Sequence, residues 1–379
     1  VSLHSLVQVA VAIRPTLIDF FPRRAARRAA NHRKQGPERD IGSAGALGPS
    51  EGSGPPQGGE ALRLRAFPAR ARRFWPGPWI HAPLLFTYWA ALMAAIDRIR
   101  IDHVLVAAGA LALGFASAGT ARFLRTCFGY ALVGFFFDAS RFIERLGLSS
   151  DRVLVCQLRR AELAVFGVGE GAHRQTLQDY FLQHHSTAAD LFFAVPYGFY
   201  LVVAALFAIW LYRRDEAAAS RYCWAFLAMN LLGFATYHLI PAAPPWYVHA
   251  HGCAVDLSAH ASEGQALARV DALLNIAFFR GMYGRASEVF GAIPSLHAAY
   301  PLILAVEGWR WMRVRGRVLS VFYVVWMAAA AVYLDHHWII DLAAGWLVCA
   351  LAVWLVRRWL PDRAVPRALD ESADAEGTP

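Results

Sequence analysis

An all-α bundle of membrane-spanning helices, about six to eight of them, is the architecture this sequence predicts, and three observations carry it. Of its 379 residues, 57% are hydrophobic, and the mean hydropathy of +0.35 is too high for an ordinary soluble domain. Several runs of about 18 or more residues carry few charges. Arginine clusters flank those runs, which is how the orientation of a membrane protein is encoded.

Residues 1–74 read as a disordered basic segment and linker. The apolar stretch Val1–Phe21 is broken by Arg14, Pro15 and Asp19, so it does not predict a spanning helix. Arg23, Arg24, Arg27 and Arg28 make a basic run suited to solvent or to anionic lipid. Residues 36–60 are rich in Gly, Pro and Ser, the composition of a flexible linker. Residues 75–188 are expected to hold accessory helices at about 78–96, 103–120 and 126–142, with a break forced by Arg122 and Arg125, and then a long external loop. In that loop Val153–Phe166 suits either an amphipathic interfacial helix or an exterior cap. Residues 189–358 are expected to carry the chemistry, on helices at about 189–212, 222–240, 295–310, 317–334 and 338–356. The polar, acid-ended tail 359–379 is expected to be disordered.

The positive-inside rule orients the bundle. Arg213-Arg214, Arg310 to Arg317 and Arg357-Arg358 mark one side as cytoplasmic, and Arg63 to Arg73 with Arg122 and Arg125 agree. Arg98 and Arg100 fall on the other side, softened by Asp97 and Asp102. Segments 143–188, 241–294 and Asp335 to His337 then share the extracytoplasmic (or lumenal) face.

The net charge of +9 is almost wholly arginine, with Lys34 the single lysine. A basic chain raises nucleic acid as a partner. Here the clusters border apolar runs, so the partner expected is the bilayer and not nucleic acid. Cys127, Cys156, Cys223, Cys253 and Cys349 show no C-x-x-C and no zinc spacing. Cys156 and Cys253 fall in the two external loops, where a disulfide and two free thiols are both open. No internal repeat supports a repeat-built transporter.

Two polar knots stand at the mouths of apolar runs: Gly291 to Ala299, GAIPSLHAA, and Tyr333 to Gly345, YLDHHWIIDLAAG. His337 and Asp341 are four apart, so on a helix they share a face and can touch. Asp341 can then accept from one imidazole nitrogen and leave the other as a nucleophile. In the first stretch Ser295 suits an N-cap, with His297 in the first turn among N–H groups that favour an anion. A carboxylate-held His, a second His and an anion-friendly helix end fit phosphoryl transfer, and the pairing argues against core histidines merely satisfied in place.

Pro-Ser-Leu-His at 294–297 and His-x-x-x-Asp at 337–341 resemble the second and third motifs of the type 2 phosphatidic acid phosphatase superfamily. Pro241-Ala-Ala-Pro-Pro-Trp246, Phe290-Gly291 and Tyr-Leu-x-His-His at 333–337 are similar to its inositol phosphorylceramide synthase branch. The resemblance covers about 190 to 356, roughly half the chain. It implies a helix bundle with that superfamily's core and a phosphohistidine mechanism that needs no metal and no cofactor. His337 would attack phosphorus, Asp341 would orient it, and His297 would serve as acid and then base. The superfamily's basic residues are missing: Ile240 and Ala243 precede the relevant prolines, and Ala330-Ala331 stand where Ser-Arg is expected. Arg280, Arg285 and His238 are the expected substitutes at the phosphate, with Ser295 and its neighbouring N–H groups. His249 and His251 with His184 and His185 suit a metal or a wet surface, and lacking a completing carboxylate they read as surface. A transferase on lipid phosphate esters is the leading expectation; a lipid phosphatase and a non-catalytic transporter are the alternatives.

Overall fold

The computed structural model describes residues 80–143, 146–261, 265–284 and 289–360. The basic segment, the linker, Arg285 and nearly all of the tail lie outside them. The described residues are helical, with isolated bridges and no strand.

Contacts divide the chain between Leu124 and Arg125. In the first unit α1 (His81–Ala95) packs on α2 (Ile101–Ala116). Arg100 pairs with Asp102 at 2.7 Å, which offsets the one basic cluster that violates the orientation rule. The break expected at Arg122 and Arg125 falls earlier. Ser117 is extended, and its side chain and that of Thr120 bond each other and each other's N–H groups. The arginines are instead carried by α3 (Ala118–Thr126).

The second unit holds α4 (Phe128–Ser140), α5 (Cys156–Phe166), α6 (Leu177–Gln183), α7 (Thr187–Tyr212), α8 (Glu216–Leu239), α9 (Pro245–His251), α10 (Gln265–Leu274), α11 (Phe278–Tyr283), α12 (Leu296–Gly308), α13 (Val314–Tyr333) and α14 (Ile339–Trp359). Residues 125–188 therefore sit within the same unit as the helices of both motifs. Among the described residues three helices, α7, α13 and α14, are long and apolar enough to cross a membrane. Of the others expected to span, α8 is long enough at 24 residues but is not among those three, and α12 has 13 residues, about 20 Å at 1.5 Å per residue, against about 30 Å of hydrocarbon. Its Pro301 and the break at Trp309 to Trp311 limit its length.

The centre of this unit is α8, which packs on α4, α7, α12 and α14. α12 in turn lies against α14 by way of Gly345. A Cβ at Gly345 would overlap the Ser295 carbonyl oxygen and lie 3.0 Å from its carbon. Backbone cannot swing aside as a side chain does. Gly345→Ala should therefore cost about 1–3 kcal/mol, seen as a lower melting temperature by tryptophan fluorescence in detergent. An unchanged melt would show that the two helices are not in the contact described.

The segments that carry Cys156, Pro241 and Gly291 are laced together rather than loose. Pro241 and Pro244 fix an extended backbone, and Ala242 between them bridges both Leu154 and Gly291. Four backbone bonds hold this hub: Leu154 N–H to Pro241, Ala243 N–H to Leu154, Ala242 N–H to Phe290 and Ala292 N–H to Ala242. A disulfide joins Cys156 to Cys253, with Cα atoms 5.4 Å apart. Cys127, Cys223 and Cys349 are not disulfide-bonded.

Candidate active site

His297 and His337 meet at the mouths of α12 and α14. The nitrogen His297 Nδ1 lies 3.2 Å from His337 Nε2. Two features bring them there. Ser295 is the N-cap of α12, its Oγ accepting from the Ala298 N–H, so His297 stands in the first turn. On the other side His337 precedes α14, and Trp338 is the N-cap.

That second point changes the expected geometry. His337 and Asp341 are not on one helix face, because the helix begins only at Ile339. The His337 Nδ1–H donates to the Ala292 carbonyl at 3.0 Å, and the nearest Asp341 oxygen is 3.6 Å from that nitrogen, beyond hydrogen-bond range. Asp341 caps its own helix, its Oδ2 accepting the Trp338 N–H at 2.9 Å, while its Oδ1 is buried with no partner among the described residues. The proline hub thus does what the carboxylate was expected to do. Ala242 holds Ala292 in place, and the Ala292 carbonyl fixes the His337 tautomer, leaving Nε2 with its lone pair. Trp338 is tied to the same hub by Nε1–H to the Ala243 carbonyl at 3.1 Å.

Helices α5 and α6 complete the frame. Glu162 on α5, fully buried, accepts the N–H groups of Ile339 and Ile340 at 2.8 and 3.3 Å. A carboxylate at the first turn of α14 satisfies orphan donors and complements the helix dipole. Gln178 on α6 donates to the His337 carbonyl at 2.9 Å. Within Val153–Phe166, α5 (Cys156–Phe166) caps the start of α14 through Glu162. Neither Glu162 nor Gln178 lies in a motif, so sequence reasoning passed over both.

Burial pulls His337 down to about 4 against the Ala292 carbonyl, which favours the charged form. Burial likewise takes His336 to about 4, with its Nδ1–H given to the Leu334 carbonyl. Both rings are neutral near pH 7, so His337 Nε2 is available as a nucleophile. The ring of His297 stacks on Tyr197 at 4.5 Å and meets Tyr200 edge-on at 4.9 Å. Its Nε2 is buried without a partner among the described residues.

A cavity of about 430 Å³ opens beside these rings. His297, His336, His337 and Tyr283 line one end; Tyr300, Phe226, Leu201 and Tyr130 carry it toward Gly134 and Phe137 on α4. Beside His336 the hydroxyl of Tyr283 is buried with no partner among the described residues, and the two rings are 5.0 Å apart.

Other expected substrate contacts stand elsewhere. Ser295 is fully buried, its Oγ and N–H already committed, the latter to the Asp341 carbonyl at 2.9 Å. His238 faces the carbonyls of Phe234 and Ile143 with its two nitrogens and does not line the cavity. Arg280 is exposed on α11 and lines a smaller pocket on the other flank of Tyr283 and His336. Arg285 lies outside the described residues. His249, expected at the wet surface, is instead half-buried between two carboxylates. Among the described residues no group of His, Cys, Asp and Glu is arranged to hold a metal.

A family profile described as the PAP2 superfamily matches residues 169–355. The chain is 33% identical over 278 residues to a phosphoinositol dihydroceramide synthase of Bacteroides thetaiotaomicron, covering 72% of this chain and 88% of that protein. It is 36% identical over 162 residues to an inositol phosphorylceramide synthase of Candida albicans, 41% of this chain and 33% of that one. With the catalytic subunit of inositol phosphorylceramide synthase from Saccharomyces cerevisiae it shares 36% identity over 118 residues, 31% of this chain and 29% of the relative. The chain thus spans most of the bacterial relative but about a third of the fungal ones. No solved structure matches it.

Proposed function

Since this chain belongs to the PAP2 superfamily, we propose that it is an integral membrane phosphotransferase that moves phosphoinositol from a phosphatidylinositol-type donor to the hydroxyl of a ceramide-type acceptor. The observation that carries the reading is the 3.2 Å approach of His297 and His337 at the end of a mostly apolar cavity. The relatives, named for ceramide and inositol chemistry, supply the substrate class.

His337 Nε2 attacks phosphorus, and the bond to the diacylglycerol oxygen breaks. His297, protonated in the loaded site, gives the proton from Nδ1, the nitrogen that faces His337, to that leaving alkoxide. Diacylglycerol departs, and phosphoinositol stays bonded to His337. The acceptor hydroxyl then loses its proton to His297, its oxygen attacks phosphorus, and the P–N bond breaks. His337 is regenerated, and the phosphodiester is rebuilt on the acceptor. The resting His297–His337 contact must open to admit phosphorus between the rings. Asp341 acts at one remove, fixing the Trp338 N–H and so the turn that presents His337. The lipid chains lie along the aromatic walls toward α4.

The site is assigned to the extracytoplasmic face. Arg213 and Arg214, Arg310 to Arg317 and Arg357 with Arg358 mark the opposite helix ends. A disulfide in the segments around the site suits an oxidising compartment.

Tyr283 and His336 line the cavity with groups that can meet the donor, the phenol donating to a phosphate oxygen and His336 Nε2 accepting from an inositol hydroxyl. Tyr283→Phe should raise KM for the donor about tenfold, the value of one hydrogen bond to a charged group, with little change in kcat. A KM unchanged by this substitution would remove Tyr283 from the binding surface.

The function is tested with purified protein and inositol-labelled phosphatidylinositol, with and without ceramide, beside labelled phosphatidate. Label in the ceramide product supports transfer. Free phosphate from phosphatidate, with no transfer to any acceptor, would make the protein a lipid phosphatase instead.

A further inference from the structure

We propose that His249, clamped between Asp179 and Asp335, is a positioning residue that sets the turn carrying His336 and His337. The inference rests on the reading of His337 as the reacting group.

His249 Nε2 lies 2.7 Å from Asp179 Oδ1, and its Nδ1 lies 2.8 Å from Asp335 Oδ2. Carboxylates only accept, so a ring bonded to one at each nitrogen donates from both, which requires the imidazolium. The Asp179 carboxylate also takes Arg159 Nη2 at 3.0 Å and the Thr176 N–H at 3.0 Å. The chain Arg159–Asp179–His249–Asp335 thus ties α5, α6 and α9 to the α13–α14 turn. Its formal charges cancel only while His249 is protonated.

The turn is closed by its own backbone bonds to Ala330, Ala331 and Val332, and α9 adds a grip from outside. Asp335 has φ +62°, the left-handed region that non-glycine residues seldom adopt. α9 holds it twice, through the Trp246 N–H to the Asp335 carbonyl at 2.9 Å and through His249. The second carboxylate oxygen, Asp335 Oδ1, is buried without a partner among the described residues. Deprotonated, His249 can donate to only one of the two carboxylates. If it releases Asp335, that buried charge is left bare two residues before His337. A shift of about 1 Å in a reacting group costs about 10²-fold in rate. His336 and His337 both ride on this turn and line the cavity, so kcat falls and KM for the donor rises with it.

Burial alone would lower the His249 imidazole, but the bonds to Asp179 and Asp335 outweigh it and raise it to about 9. The raised value means that the clamp stabilises fully below an ordinary imidazole value near 6.5 and is lost as pH climbs through about 9. The groups that set this are Asp179 on α6, Arg159 on α5 behind it, Asp335 in the turn, Arg269 on α10, which acts on Asp335, and His251 on the same helix, stacked on Tyr247.

The test is kcat at saturating donor and acceptor for the full chain in detergent, from pH 7 to 10. Wild type should decline above pH 9. His249→Gln, neutral at all pH, should lose about 10²-fold in kcat and show no dependence of its residual kcat on pH between 7 and 10. His249→Arg, charged throughout, should keep kcat within about tenfold of wild type and show no alkaline decline. A wild-type profile flat to pH 10, a decline that persists in His249→Arg, or a full kcat in His249→Gln overturns the proposal. Should His249→Gln fail to fold, the wild-type and His249→Arg profiles still decide it. Retained activity in His337→Gln would instead sink the catalytic reading beneath it, so the two failures are told apart.

Discussion

Exchanging His337 for Gln will lower kcat by about 10⁴-fold or more, the scale seen when a covalent nucleophile is removed. The Gln amide can still donate to the Ala292 carbonyl, so the turn keeps its anchor and the loss is chemical rather than structural. Burial holds the wild-type ring near 4. The wild-type kcat/KM should therefore fall tenfold per unit below about 4, as the nucleophile takes up a proton. A variant within about a hundredfold of wild type would assign the attack to another group.

His297→Gln carries the second large effect, a loss of about 10²–10⁴-fold. Its Nδ1 lies 3.2 Å from His337 Nε2, its Nε2 is buried without a partner among the described residues, and its ring is fixed by the stack on Tyr197. An alkoxide is a poor leaving group without a proton; an aryloxide leaves without one. Donors with an aryl leaving group should thus restore release of the first product in His297→Gln while transfer to the acceptor stays slow. Equal defects with alkyl and aryl donors would mean that His297 only shapes the pocket.

The parts of the site legible in the sequence were those carried by local pattern. Ser295 announced the start of α12, and the pairing of the two polar knots pointed to His297 and His337, which the structure brings within 3.2 Å. The His-x-x-x-Asp spacing was visible too, but its geometry was misjudged. Trp338 takes the N-cap, so His337 falls outside the helix and the four-residue spacing no longer puts the two side chains on one face. The true partner, a backbone carbonyl at Ala292, has no signature in residue type. Glu162 and Gln178 act across 177 and 159 residues of chain, a separation over which periodicity says nothing. His249 was noticed as half of an H-x-H and read as surface, because Asp179 and Asp335 stand far from it in sequence. The basic residues looked for around the phosphate were sought by charge. Tyr283, with a neutral hydroxyl and an unremarkable position in the chain, offered nothing to find.

The most direct test of the account is to catch the enzyme in mid-reaction. Donor labelled in the inositol ring is mixed with protein without acceptor, quenched in alkaline denaturant, and the protein is digested and mapped. The account predicts acid-labile, alkali-stable label on the peptide that contains His337, retained in His297→Gln with an aryl donor and absent from His337→Gln. Efficient transfer to ceramide with no label on the protein at any time would contradict it, since the phosphoryl group would then pass from donor to acceptor without touching the imidazole.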